Sequence, residues 1–384
     1  MPLPDYLKIQ GRRGALPPRR PSASLLTPPW TLTQLEDVEI LRPVSGDGIF
    51  FDKEKNLWCN RSMPTDGFLA NGLNVSLVES QGIGWADLGQ LGTETSVHSL
   101  AYLGNGIVVA GTSNGKIFRS TDYGATWTDL GQLGTQIYVM SLAYLGNGIV
   151  VAGTYPNGKI YRSTNYGATW IEVAMLWPEA FVWSLAYLGN GIVVAGTEDG
   201  GKIFRSTDYG ATWVDTGRLG SQNRVYALVY LGGGIMLAGT YLQGRVFRST
   251  DYGLSWNGKS QLGTETRVQS LAYLGNGIVV AGMGDGGKIF RSTDYGLSWI
   301  DKGQLGTETR VHSLAYLGNG IVVAGTYPNG KIYRSTNYGA TWTDFGQLGT
   351  QIYVMTLAYL GNGIVVAGTG DGGKIFRSAL VSGV

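Results

Sequence analysis

His98 and His312 are the chain's only imidazoles, and Cys59 is its one thiol. A Cys–His nucleophile pair or a cysteine-based metal cluster has little material to form from. The two histidines occupy equivalent places in units one and six of a repeat, which predicts that they share no metal. Two carboxylates facing each other across a site can hydrolyse a glycosidic bond. The candidates here, Glu94, Glu265 and Glu308, all fill one repeated slot. Arg119, Arg162, Arg205, Arg248, Arg291, Arg334 and Arg377 also recur once per unit. That periodicity marks a structural or surface position rather than one clamp on a substrate carboxylate. No asymmetric catalytic constellation emerges, so the chain is expected not to be an enzyme and to need no cofactor or metal.

The repeat that places these residues is S-L-A-Y-L-G-N-G, with its leucine at Leu100, Leu142, Leu185, Leu228, Leu271, Leu314 and Leu357. The first interval is 42 residues and the other five are 43. A period of this length that reads as four short strands is that of a propeller blade. In the first unit, Val97 to Leu103 forms an apolar strand, and Gly104 to Gly106 turns with the Asn-Gly pair that favours hairpins. Ile107 to Gly111 reads as a strand buried on both faces. Lys116 to Arg119 forms a third strand, and a fourth begins near Trp127. The fourth unit, with Ala227 to Gly234, diverges most.

A second phrase, S-T-D-Y-G-A-T-W with small changes, ends at Trp127, Trp170, Trp213, Trp256, Trp299 and Trp342. The seventh unit stops at Arg377-Ser378 without it. Its missing strand stands at the front, where Gly84-Trp85-Ala86-Asp87-Leu88-Gly89-Gln90 matches Thr126 to Gln132. The ring is therefore expected to close by pairing its two ends, which removes an open sheet edge. The phrase resembles the Asp-box, or BNR, repeat of sialidase-like propellers, sortilin-type receptors and photosystem assembly factors. The resemblance implies a turn in which Asp122, Asn165, Asp208, Asp251, Asp294 and Asn337 accept backbone N–H bonds while the tryptophan packs beneath. Asp and Asn both favour such turns. An acid or metal ligand would not exchange Asp for Asn, so the role is structural. The F/Y-R-I-P segment that accompanies sialidase resemblance is absent.

Composition agrees with many short strands and tight turns, because glycine makes up 61 of 384 residues, about twice its usual share. A formal net charge of +2 gives no global argument for nucleic acid. No apolar leader or membrane-spanning stretch is visible, so a soluble, non-secreted protein is expected, without membrane insertion.

Because strand direction alternates, one rim carries the near-invariant Gly-Asn-Gly and Thr-Asp-Tyr-Gly turns. The other carries nearly all the differences between units. There the second-to-third turns and inter-blade connections supply Tyr138, Tyr155, Trp177, Phe181, Trp183, Arg224, Tyr226, Tyr241, Arg267, Arg310, His312, Tyr327 and Tyr353. Aromatic faces stack on sugars and Arg forks reach carboxylates, so these are candidate ligand-binding residues. Loop drift, with aromatics covering blade seams, is the plainer alternative. Stacking would also suit single-stranded nucleic acid, but no basic groove accompanies it.

Residues 1–30 hold seven of twelve prolines and five basic residues, and read as an extended arm. Within residues 31–62, the stretch 34–61 resembles a short module of bacteriophage tail-fibre and other virion fibre proteins. The matching residues are Leu35, Asp37, Val38, Ile40, Pro43, Gly46, Phe51, Asp52, Trp58 and Asn60; Gly48-Ile49-Phe50 departs from the usual Gln-Val-Leu. The resemblance implies a homotrimeric virion protein attached to the particle through residues 1–62. Residues 63–83 form a linker, and 84–384 the seven-bladed β-propeller. The expected fold is all-β: an extended arm, a small β module and a ring of four-stranded blades. The expected function is a phage fibre or receptor-binding protein. The alternatives are a virion decoration protein, a cellular assembly factor and, last, a glycosidase.

Overall fold

The computed structural model describes residues 47–52, 57–62 and 84–378. The attachment expected of residues 1–62 and the linker 63–83 fall largely outside them. Asp47–Asp52 and Leu57–Ser62 form an antiparallel hairpin in which Phe51 pairs with Trp58.

The second unit is a seven-bladed β-propeller of four-stranded antiparallel sheets. Blade one contains Val97–Gly104, Ile107–Thr112, Lys116–Ser120 and Thr128–Gln132. Its first hairpin turns through Asn105 and Gly106, at φ +50° and +78°, as a two-residue turn between right-twisted strands requires. The fourth strand starts one residue after Trp127. The indole stays half-buried and donates Nε1–H to the Gly124 carbonyl at 3.0 Å.

Blade seven is completed from the front of the chain. Trp85–Gln90 pairs with Lys374–Ser378, with Ala86 opposite Arg377. Lys374 Nζ meets Asp87 Oδ2 at 2.7 Å, repeating the 2.8 Å Lys116–Asp129 contact of blade one. Such exposed pairs contribute about 0–1 kcal/mol. The apolar seams dominate instead, since each fully buried Val or Leu contributes about 1.5–3 kcal/mol. At the closing seam Val97 and Val108 pack with Leu360, Val366 and Ile375.

Second-strand glycines let the blades approach. A Cβ on Gly111 would lie 2.5 Å from Val139 Cγ1 and 2.6 Å from Ser99 Oγ. Ser99 Oγ–H donates to the Val139 carbonyl of blade two at 3.0 Å, and Ser141, Ser184 and Ser270 repeat the bond. Blade four has Ala227 in that position and lacks the donor.

The two rims separate as the strand directions require. Tyr123 N–H donates to the Gly106 carbonyl at 2.8 Å, joining the first-to-second and third-to-fourth turns. Gly115 N–H donates to the Ile137 carbonyl at 2.8 Å, joining the second-to-third turn to the next connection.

Candidate functional site

On the variable rim, each residue entering a blade stands between two turns, one from its own blade and one from the blade before. Tyr138 pairs with Tyr155 of its own blade and bridges to Ser113 of the preceding one. Arg267 likewise bridges back to Tyr241. Entry and turn residues thus alternate around the mouth, and side chains far apart in sequence become neighbours.

The result is an aromatic arc over blades two to four. Tyr138 stacks on Tyr155 at 5.7 Å, Tyr155 on Phe181 at 3.8 Å, and Phe181 on Trp183 at 5.1 Å. Trp183 meets Tyr226 edge-on at 4.9 Å, and Tyr226 meets Tyr241 at 6.2 Å. Faces in the middle of this stack are already covered by neighbouring rings, leaving edges toward solvent. Trp177 differs: it is 74% exposed and has no aromatic partner among the described residues.

Arg224 closes the arc chemically. It forms an ion pair with Glu198, donates to Tyr226 Oη at 2.9 Å and lies 5.3 Å from the Tyr241 ring centre. Glu198 also accepts Trp183 Nε1–H at 2.7 Å. Residue types had not marked Glu198 as a candidate; its place beside Arg224 in the alternation was the available signal. In blades six and seven, Arg310 lies 5.0 Å from the Tyr327 ring centre, and Tyr353 contacts Tyr327 and His312 at 4.9 Å each. Burial pushes the Tyr353 hydroxyl up, against the pull of Arg310 and Arg267.

Both histidines stand at the channel mouth. His312 Nδ1 lies 3.0 Å from the Met355 carbonyl, a bond that assigns the proton to Nδ1. Burial pushes His312 down to about 4, helped by Arg310 and Arg267. Burial, with His312 adding to it, does the same to His98. No three His, Cys, Asp or Glu side chains converge on a metal position among the described residues. Below the mouth, a cavity of about 240 Å³ runs along the axis, lined by the Ser99–Ser141 belt and the ring of Leu100, Leu142 and their equivalents.

The repeated carboxylates do not face this cavity as pairs. Glu94 and Glu308 are fully buried and accept Thr112 and Thr326 Oγ1–H at 2.8 and 2.9 Å. Glu265 pairs with Lys288 at 3.0 Å. Glu179, missed because its connection reads W-P-E-A, accepts Thr197 Oγ1–H at 2.8 Å. Gln136 and Gln222 occupy the same slot and accept the same kind of bond. In five of the seven blades the slot thus clamps the connection to its blade. On the opposite rim, Arg119 Nε–H donates to the Tyr166 carbonyl of the next blade at 2.8 Å, and Arg377 closes that series onto Tyr123.

The box residues are also internally bonded. Asp122 Oδ1 accepts Thr126 N–H at 2.9 Å and Oδ2 accepts its hydroxyl at 2.6 Å. Asn165 keeps the first bond and reverses the second, with Nδ2 donating to Thr169 Oγ1 at 2.9 Å. For Asp208, burial pushes the carboxyl up, but bonds from Thr212 and Ser206 outweigh it and hold the group at about 2.

No known family matches the sequence, and no curated protein does. Solved structures share the fold. YCF48 from Cyanidioschyzon merolae superposes with a TM-score of 0.60 at 13% identity, over 77% of this chain and 98% of that one. A virginiamycin B lyase from Staphylococcus aureus gives 0.65 at 16%, over 77% and 99%. A GH74 enzyme from Niastella koreensis gives 0.55 at 19%, over 76% and 44%. At these identities the likeness establishes the propeller alone, a fold compatible with binding a ligand or a protein.

Proposed function

We propose that this is a bacteriophage fibre or receptor-binding protein, a non-enzymatic homotrimer attached to the virion through residues 1–62. Its variable rim engages a host-surface glycan. The observation that carries the reading is the Tyr138–Tyr241 arc with Arg224, Arg267 and Arg310, confined to the rim where the seven blades differ. The fibre-module resemblance of residues 34–61 supports the particle. Several copies on one virion raise avidity by orders of magnitude, so one weak site per chain is adequate.

Purified protein is expected to bind host cells or their envelope fractions, and particles lacking it to adsorb poorly. No binding together with normal adsorption would sink the proposal. The second reading, a decoration protein, draws on the ring faces that cover one another. Replacing Trp177, Trp183, Tyr226 and Arg224 together separates the two. Lost adsorption with an intact fold supports recognition, and unchanged adsorption supports decoration. Turnover of sialosides or β-glucans would overturn the non-enzymatic assignment.

A further inference from the structure

Three successive blades begin with arginine in the same entry position: Arg224, Arg267 and Arg310. Their charges are treated differently. Glu198 compensates Arg224. At the equivalent turn position the next three blades carry Tyr241, Gly284 and Tyr327, none of them acidic. Among the described residues, no carboxylate lies within ion-pair distance of the Arg267 or Arg310 guanidinium.

The acids nearby are already engaged. Asp285 Oδ2 accepts Thr266 N–H and Oγ1–H at 2.7 and 2.9 Å, and Oδ1 accepts Arg267 N–H at 3.0 Å. Glu265 pairs with Lys288. Glu308 bonds Thr326 and Asn329.

Both guanidinium groups are held in place. Arg267 lies 5.1 Å from the centres of both Tyr226 and Tyr241, and Arg310 5.0 Å from Tyr327. Gly284 makes the first arrangement possible, since a Cβ there would come within 2.3 Å of Arg267 Cδ. A planar fork fixed on an aromatic face loses little freedom when it binds. The positive field reaches inward, where both arginines disfavour the charged form of His312.

Resting on the glycan-binding reading above, we infer that Arg267 and Arg310 seat an anionic group, a carboxylate or phosphate carried by an acidic saccharide. Arg267 packs on Tyr226 and Tyr241, the last two rings of the aromatic arc, so an anion on Arg267 lies at the end of that arc. The sugar ring then lies along that arc, where Arg224, its charge neutralised by Glu198, seats no anion.

The test uses the full-length protein and paired probes: oligogalacturonate beside its methyl ester, mannose 6-phosphate beside mannose, and inorganic phosphate alone. Titration calorimetry is expected to show an acidic member bound at least tenfold more tightly than its neutral counterpart. That ratio should fall as salt rises. In the double variant Arg267→Gln, Arg310→Gln the ratio should drop to near one with an unchanged melting temperature. The carboxylate and phosphate pairs distinguish the two anions. Phosphate alone binding as tightly as the acidic sugars overturns the saccharide assignment. Equal binding of both members of each pair, unaffected by the double variant but lost on changing Trp183 and Tyr226, overturns this inference and leaves receptor binding standing. Binding of none of the probes overturns the inference.

Discussion

The box rim and the variable rim are built from the same seven blades, yet they use their polar groups in opposite ways. On the box rim most groups have a repeated partner: Asp122 holds Thr126, Ser120 Oγ accepts Gly124 N–H, and Arg119 reaches the next blade's Tyr166 carbonyl, a bond that six of the seven arginines make and Arg334 does not. On the variable rim the contacts are irregular. Arg224 is paired while Arg267 is not, and Tyr155 is stacked while Trp177 stands free. A polar group consumed by scaffold bonds is constrained to residues that can make the same bond, as Asn165 does for Asp122 and Gln136 for Glu94. A group facing outward without such a bond is available to a ligand and can differ.

That contrast is strongest where blades touch beneath both rims. Gly153→Val should cost more than about 3 kcal/mol, because even a Cβ there would meet Val182 Cγ1 at 2.5 Å. Thermal melting would check this, and a melting temperature near wild type would mean that the seams yield.

Acid should loosen the variable rim before the box rim. His98 and His312 titrate near 4 in the fold against 6.5 when unfolded. The unfolded chain therefore binds their protons first, and stability falls as pH drops from 6.5 toward 4. The full shift corresponds to roughly 3 kcal/mol per imidazole. His312→Gln should flatten the melting profile across that window. Asp208, held near 2, should contribute stability that is lost only below about pH 4.

Single box substitutions should have smaller effects. Asp208→Ala should cost about 1–2 kcal/mol by stranding backbone and hydroxyl donors. Asp208→Asn should change stability by less than about 0.5 kcal/mol, since Asn165 and Asn337 make the same turn. Denaturant midpoints would separate the two. In the connection slot, Glu179→Gln should be neutral to slightly stabilising at pH 7. Burial pushes that carboxyl up against the opposing Thr197 bond and the charge of Lys202, so ionisation above its unfolded value costs stability.

The smallest effect on stability should come from Trp177→Ala, within about 0.5 kcal/mol, because the indole is largely exposed. The same change should reduce cell binding measurably. Full binding by this variant would remove Trp177 from the contact surface and leave the stacked arc to carry it.

The sequence by itself determined the blade count, the strand order, the closing strand at Trp85 and the division of turns between two rims. All of these follow from local rules: a fixed period, Asn-Gly hairpins, apolar runs and a polar-to-backbone turn repeated within a few residues. The sequence also marked the positions where blades differ, and so named Tyr138 through Tyr353 as candidates. Only the tertiary structure decided which of them meet, because Tyr155 reaches Phe181, and Arg267 reaches Tyr226, across seams between blades. Residue type could not distinguish the paired Arg224 from the uncompensated Arg267 and Arg310. That difference depends on Glu198 and Gly284 lying in turns brought beside those arginines by hairpin pairing and the packing of successive blades. Compensation of charge and coverage of an aromatic face belong to packed neighbours, and packing here joins residues that the repeat alone leaves equivalent.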